Sequence, residues 1–220
     1  MRYPHSYGRE KSFIQNQNIT TKIITFAFYQ MEIKEKQKKI LDVAVELFKE
    51  KGYMGSSVRD LATKLNIKAA SLYAHIRSKE EILEWICFGI AQEFFDELQE
   101  IKNTDIPPRE KLNLFIEKHL SVVLKNRDVT HIYSNEWKHL EERLPEFIAL
   151  RKNYQQEVES LISEIYHAES WELRSSSFTT RFILHTLNNS YFWFKRNTES
   201  TSEITDEIRD KILYGLLGKK

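Results

Sequence analysis

Residues 57–81 read SVRDLATKLNIKAASLYAHIRSKEE, a run that spells helix, turn, helix and the start of a third helix. Ser57 is a helix cap through its side-chain oxygen, with Asp60 three residues on as the acidic partner of a capping box. Val58, Leu61, Ala62 and Leu65 then fall at i, i+3, i+4 and i+7, an apolar stripe about two turns long. Asn66 tolerates the left-handed backbone that a helix stop needs, and Ile67 is expected to plug the turn. A second short helix opens at Lys68. It carries Ala70, Leu72 and Ile76 inward or to the side and leaves Lys68, Ala69, Ser71, Tyr73 and His75 outside, Tyr73 with its ring half in the core. Small residues that permit close approach, interleaved with donors for phosphates, suit a DNA groove.

Residues 40–53 read ILDVAVELFKEKGY and residues 71–83 read SLYAHIRSKEEIL. Together with SSVRDLA these runs resemble the DNA-binding domain of the TetR/AcrR family of bacterial transcriptional regulators, strongly over residues 37–83 and in layout beyond. Two positions depart from the family pattern: Asn66 stands where Gly is usual, and Ile76 where Phe usually follows the His. Asn accepts the turn geometry and Ile keeps an apolar plug. The resemblance implies a double-stranded DNA operator as partner, with Ser57, Tyr73, His75 and Lys79 on phosphates and Lys68 and Ser71 reaching base edges. Lys79 opens a helix, where a cation opposes the macrodipole, so a nearby anion explains it.

The composition agrees with an all-α protein. Only 6 Gly and 4 Pro occur in 220 residues while charged residues reach 30%, and no Asn-Gly or Asp-Gly joins alternating apolar runs. The single cysteine, Cys87, rules out an intramolecular disulfide and is read as a buried thiol in a reducing cytoplasm. The net charge of +1 divides unevenly. Residues 1–31 hold 4 Lys and Arg against 1 acid, residues 32–80 hold 11 against 7, and residues 81–220 hold 18 against 24. Positive charge gathers where phosphates would be met. No apolar run approaches the roughly 18–20 residues that cross a bilayer, so no membrane partner is expected.

These features predict an extension over residues 1–30, a helix-turn-helix domain over 31–80 and an effector-binding and dimerisation domain over 81–220. Met31 opens MEIKEKQKKIL, itself a plausible basic arm, so translation is expected to begin there, the alternative being a genuine extension. Helix 1 is expected from Glu35 to Lys51, with Ile40, Ala44, Leu47 and Phe48 inward and Gly52 ending it. Ser78 caps the next helix with Glu81 in the reciprocal position, and apolar spacing sustains that helix from Lys79 to about Ile101. Pro107 and Pro108 break it before a helix from Arg109 to Lys125. A turn over Asn126 to Val129, a short helix over His131 to Glu142 and a helix from Pro145 to Tyr166 follow. From Trp171 or Ser175 to Phe194 the chain is apolar on two sides. Phe178, Phe182, His185 and Phe192 form one side and Ile183, Leu187, Tyr191 and Phe194 the other, which calls for a second buried partner, most simply another copy of the chain. With the last helix, Glu203 to Leu217 bearing Ile204, Ile208, Ile212 and Leu216, it could complete a four-helix interface. The family resemblance likewise implies a homodimer.

The resemblance also implies a small-molecule effector. The runs SNEWKHLEERLPEFIALRKNYQQ, residues 134–156, and TLNNSYFWFKRN, residues 186–197, are similar to the subgroup that responds to CoA thioesters. Phe115, Tyr133, Trp137, Tyr154, Phe182 and Trp193 are the candidate lining, with Arg151 or Lys152 for a phosphate or carboxylate. A hydrophobic effector without CoA, or an architectural DNA binder without effector, are the alternatives. No HExxH, P-loop or G-x-S-x-G occurs, so neither an enzyme nor a cofactor is expected. Glu136 and His139 have metal-pair spacing, but no second pair follows.

Overall fold

The computed structural model describes residues 35–168, 175–193 and 201–217, and among these the regular structure is all helical. The extension over residues 1–30, Trp171 and Phe194 lie outside the described residues. The chain divides by its contacts after Ile40, and the architecture below is that of the residues from Leu41 onward.

Helix α1, Glu35–Lys51, buries Ala44, Leu47 and Phe48, and Ile40 is buried as well. Gly52 ends it at φ +71°, a conformation that costs glycine nothing. Helix α2, Val58–Lys64, begins with the full capping box: Ser57 Oγ accepts from the Asp60 N–H, and the Asp60 carboxylate accepts from the Ser57 N–H. It ends at Asn66, φ +55°, where the Ile67 N–H reaches the Ala62 carbonyl and the Asn66 N–H the Thr63 carbonyl, the paired bonds of a Schellman stop. Ile67 is 40% exposed and does not plug the turn, because the stop turns its side chain outward. Helix α3 is a single turn, Ala69–Leu72. Leu72 and Ile76 are buried beneath it and Ala70 faces outward.

Helix α4, Lys79–Lys102, starts at Ser78, whose Oγ accepts from the Glu81 N–H. Ile82, Leu83, Ile86, Ile90, Phe94 and Leu98 are buried as their spacing predicts. So are Trp85, Cys87, Phe88 and Phe95 on the other flanks. A helix buried on several flanks is a central one, and only its last turns expose Asp96, Gln99 and Glu100. Helices α5, Pro108–Lys125, α6, Arg127–Asn135, and α7, Leu144–Ala168, pack around it, and α8, Ser176–Asn189, closes on α5 and α7. Helix α9, Thr201–Leu217, buries Ile208 and Ile212 and touches α5.

Three boundaries differ from expectation, one being the end of α8, expected to run on to Phe194, which stops at Asn189 and gives way to a 3-10 turn over Ser190–Phe192. Asn126 alone leaves helical geometry, at φ −116° and ψ 39°, and its carbonyl already accepts from the Thr130 N–H, so α6 begins within the expected turn. The helix expected to reach Glu142 ends at Asn135 and continues as two 3-10 turns, Trp137–His139 and Glu141–Arg143, with Leu140 fully buried between them as the anchor.

Candidate functional site

The surface around α3 presents Lys68, Ser71, Tyr73 and His75, all exposed, Tyr73 by 55%, so its ring is less covered than the sequence suggests. Three cations of α1 and α2, Lys49, Lys51 and Lys64, are held in ion pairs. Lys51 bonds Asp60 at 2.8 Å, and Lys64 bonds Glu50 at 2.9 Å. Lys51, then the Ser57 hydroxyl, hold the Asp60 carboxyl down to about 2. Ser57 thus spends its hydroxyl on the cap. Lys79 is placed differently from expectation: its ammonium donates to the carbonyls of Tyr53 at 2.7 Å and Ser56 at 2.9 Å and lies 4.0 Å from the Tyr53 ring centroid. The anionic neighbour that its position called for is supplied by carbonyl dipoles of the α1–α2 turn.

Beyond α4 a cavity of about 810 Å³ opens between α6, α7 and α8. Of the residues expected to line it, Tyr133, Arg151, Tyr154 and Phe182 do, with Lys152. Phe115 does not: it is packed in the core, 5.5 Å from the His119 ring. Trp137 stands behind the wall, its ring centroid 4.9 Å from the Arg151 guanidinium carbon. Trp193 follows the 3-10 turn Ser190–Phe192 that ends α8, which carries it away from the cavity and leaves it 55% exposed.

Sequence reasoning missed Ser134, Phe178, Arg181, His185 and Asn188 as lining residues. The stripe Phe178, Phe182, His185 was legible but was assigned only to a subunit face. Phe178 and Phe182 remain 65% and 50% exposed at the cavity margin, while Ile183 and Leu187 fill the core side of α8.

Behind the cavity His119 is fully buried, stacked on Phe94 at 4.3 Å. The Asn188 carbonyl oxygen lies 2.9 Å from its Nε2, which therefore carries the proton, so Nδ1 accepts from the Tyr154 hydroxyl at 3.1 Å. Burial lowers its pKa to about 4, against a smaller rise from Asn188. This one imidazole ties α5 to α7 and α8.

The stretch from Tyr133 to His139 faces two ways. Tyr133 and Ser134 line the cavity, while Glu136 and His139 meet the α1–α2 turn. The His139 ring stacks on Tyr53 at 5.4 Å, and a Cβ on Gly52 would sit 3.6 Å from Glu136 Oε1. Burial, then Glu80, Glu141 and Glu84, push the Tyr53 phenol up to about 12. Lys49 bonds Asp128 of α6 at 2.8 Å, and Arg143 bonds Glu84 of α4 at 3.3 Å. Glu136 and His139 approach each other at 3.5 Å. Among the described residues no group of three or more His, Cys, Asp or Glu is arranged to hold a metal, and no helix is long and apolar enough to cross a membrane.

Comparison with known proteins agrees with this layout. A family model for the tetR family of bacterial regulatory proteins matches residues 40–86, and one for the tetracyclin repressor-like C-terminal domain matches residues 105–216. The HTH-type transcriptional repressor KstR2 of Rhodococcus jostii is 30% identical over 105 residues, 48% of this chain and 52% of that protein. The chain thus spans about half the length of the curated relatives it matches. Among solved structures, the TetR family regulator PfmR of Thermus thermophilus superposes with a TM-score of 0.71 at 29% identity, covering 80% of this chain and 98% of that one. AibR, solved with isovaleryl coenzyme A and operator DNA, shares the fold at a TM-score of 0.69 and 22% identity, over 79% of this chain and 95% of that one. With one model laid on the helix-turn-helix and the other on half of the chain beyond it, this chain belongs to the tetR family of bacterial regulatory proteins.

Proposed function

We propose that the protein is a cytoplasmic transcriptional repressor, not an enzyme, that binds a palindromic operator as a homodimer and is released by a small effector in the cavity. Residues 31–80 act as the DNA-binding domain and residues 81–220 as the sensor and dimerisation domain. Lys68 and Ser71 read base edges; Tyr73 and His75 hold phosphates; Ser57 and Lys79 keep α3 in place. The observation that carries this reading is the two-faced stretch Tyr133 to His139, which meets the cavity on one side and the base of the helix-turn-helix on the other. A ligand that favours one setting of this stretch changes how α3 is held, and only such differential affinity shifts the DNA equilibrium.

The effector class proposed is a CoA thioester, supported by the runs at residues 134–156 and 186–197 and by the CoA ligand named for AibR. The exposed Phe178 and Phe182 of α8 and Tyr214 of α9 support a second copy as partner. The test is fluorescence anisotropy on DNA from upstream of the protein's own gene, with and without a panel of acyl-CoAs. Saturable binding to a palindrome, reversed by at least one thioester, is expected. Binding indifferent to sequence would refute the repressor reading; sequence-specific binding that no thioester reverses would refute the CoA reading alone.

A further inference from the structure

We infer that the cavity seats an anionic oxygen group of an otherwise apolar ligand on Arg151 Nη1 and Ser134 Oγ, a reading that rests on the effector site proposed above and specifies its ligand. Five buried side-chain polar atoms have no hydrogen-bond partner within the protein among the described residues, and two of them, Arg151 Nη1 and Ser134 Oγ, belong to residues lining this one cavity. A buried donor left unsatisfied is costly, and more so on a charged group, so two of them on residues that line one cavity point to a ligand that satisfies both.

The surroundings of Arg151 specify the sign of that ligand. Its guanidinium lies against the rings of Tyr133, at 5.2 Å, and Trp137, at 4.9 Å, which orient the plane without accepting its in-plane hydrogen bonds. No carboxylate among the described residues forms an ion pair with it. The cavity lining further includes Lys152 and Arg181 and contains no Asp or Glu, within a region, residues 81–220, that carries six more acids than Lys and Arg. Cations concentrated in the wall of an acidic domain make the cavity a local exception that favours an anion. Ser134, a helical serine, could bond its hydroxyl to its own helix but leaves it buried and unpartnered. Phe178, Phe182 and Leu184 give one part of the wall to an apolar body, beside the neutral polar groups of Asn135, Gln155 and Asn188.

The anionic oxygens could belong to a carboxylate or to a phosphate of a CoA conjugate, and the probes separate these. Octanoate, octanol, octanoyl-CoA and CoA alone are titrated calorimetrically into the full chain, wild type and Arg151→Gln, Arg151→Lys and Ser134→Ala. Circular dichroism reports folding, and operator binding by the wild type is measured separately. Octanoate, octanoyl-CoA or both should bind at least about tenfold more tightly than octanol. Arg151→Gln should lose about tenfold or more of that affinity, and Arg151→Lys less. Dependence on Arg151 for octanoate assigns a carboxylate; dependence for octanoyl-CoA and CoA but not octanoate assigns a phosphate. If Arg151→Gln does not fold, Ser134→Ala and Arg151→Lys carry the comparison. Octanol binding as tightly as octanoate and octanoyl-CoA, unchanged affinity in the variants, or no binding of any probe overturns the seat. A wild type that still binds its operator in that last case leaves the regulatory reading standing.

Discussion

His119 holds three helices together only while it is neutral. Its single proton is committed to Asn188, and a second would have to displace the donated hydroxyl of Tyr154 inside a ring-lined core. Its pKa is lowered from 6.5 to about 4 when folded, so below pH 6.5 the unfolded chain takes up a proton that the folded chain refuses. Stability is therefore full above 6.5 and falls as the pH drops toward 4, by up to about 3 kcal/mol from this group. Urea titrations at about pH 7 and about pH 5 should show this loss, and His119→Gln should flatten it. Asn66 offers a second residue-scale test. Its left-handed backbone disfavours a β-carbon, so Asn66→Ala should cost about 1 kcal/mol while Asn66→Gly should be neutral or slightly stabilising by the same titration. The stop at Asn66 and the cap at Ser57 were legible because each depends on its own neighbours in sequence. The partners of Lys79 were not, since they lie 23 and 26 residues away and are backbone oxygens, which no side-chain pattern announces.

Among the elements, α4 is the one whose role sequence reading understated. The spacing of Ile82 to Leu98 located it, but one apolar stripe on a long helix does not tell a connector from a pillar; Trp85, Phe88 and Phe95 on the other flanks do. Its first residue is tied to the α1–α2 turn, so Lys79→Met should lower the free energy of unfolding by about 1–2 kcal/mol. Because that ammonium is engaged with carbonyls, the salt dependence of DNA binding should change by well under one unit, a difference measurable by anisotropy across a salt series. The end of α6 and the 3-10 turns after it were misjudged for a related reason. The heptad-like run HIYSNEWKHLEE satisfies a helix locally, and only burial of Leu140 decides otherwise. His139→Ala removes the stacking on Tyr53 and should leave effector affinity intact while shrinking the effector's influence on DNA affinity, seen as converging DNA titrations with and without ligand.

At the scale of the whole molecule, the helical layout was readable almost throughout, whereas the cavity was not, because it is assembled by α6, α7 and α8 from residues up to 56 positions apart. The periodicity that marked Phe178 and Phe182 as one face could not say that they border a cavity as well as solvent. Phe178→Glu with Phe182→Glu should shift the chain toward a monomer in sedimentation velocity and weaken operator binding at least about tenfold, since the second half-site contact is then no longer intramolecular. One feature sets the mechanical scale. The 24 residues of α4 make a rod of about 36 Å, rooted at one end beside Tyr53 and Ser56 and reaching at the other toward Glu157 on α7, the helix that carries Arg151. A tilt of roughly 5° at one end of such a lever sweeps the other by about 3 Å, close to the ~3.4 Å rise between successive base pairs. In the dimer proposed above, a displacement too slight to disturb the packed core would therefore suffice to put the two copies of α3 out of step with a double helix.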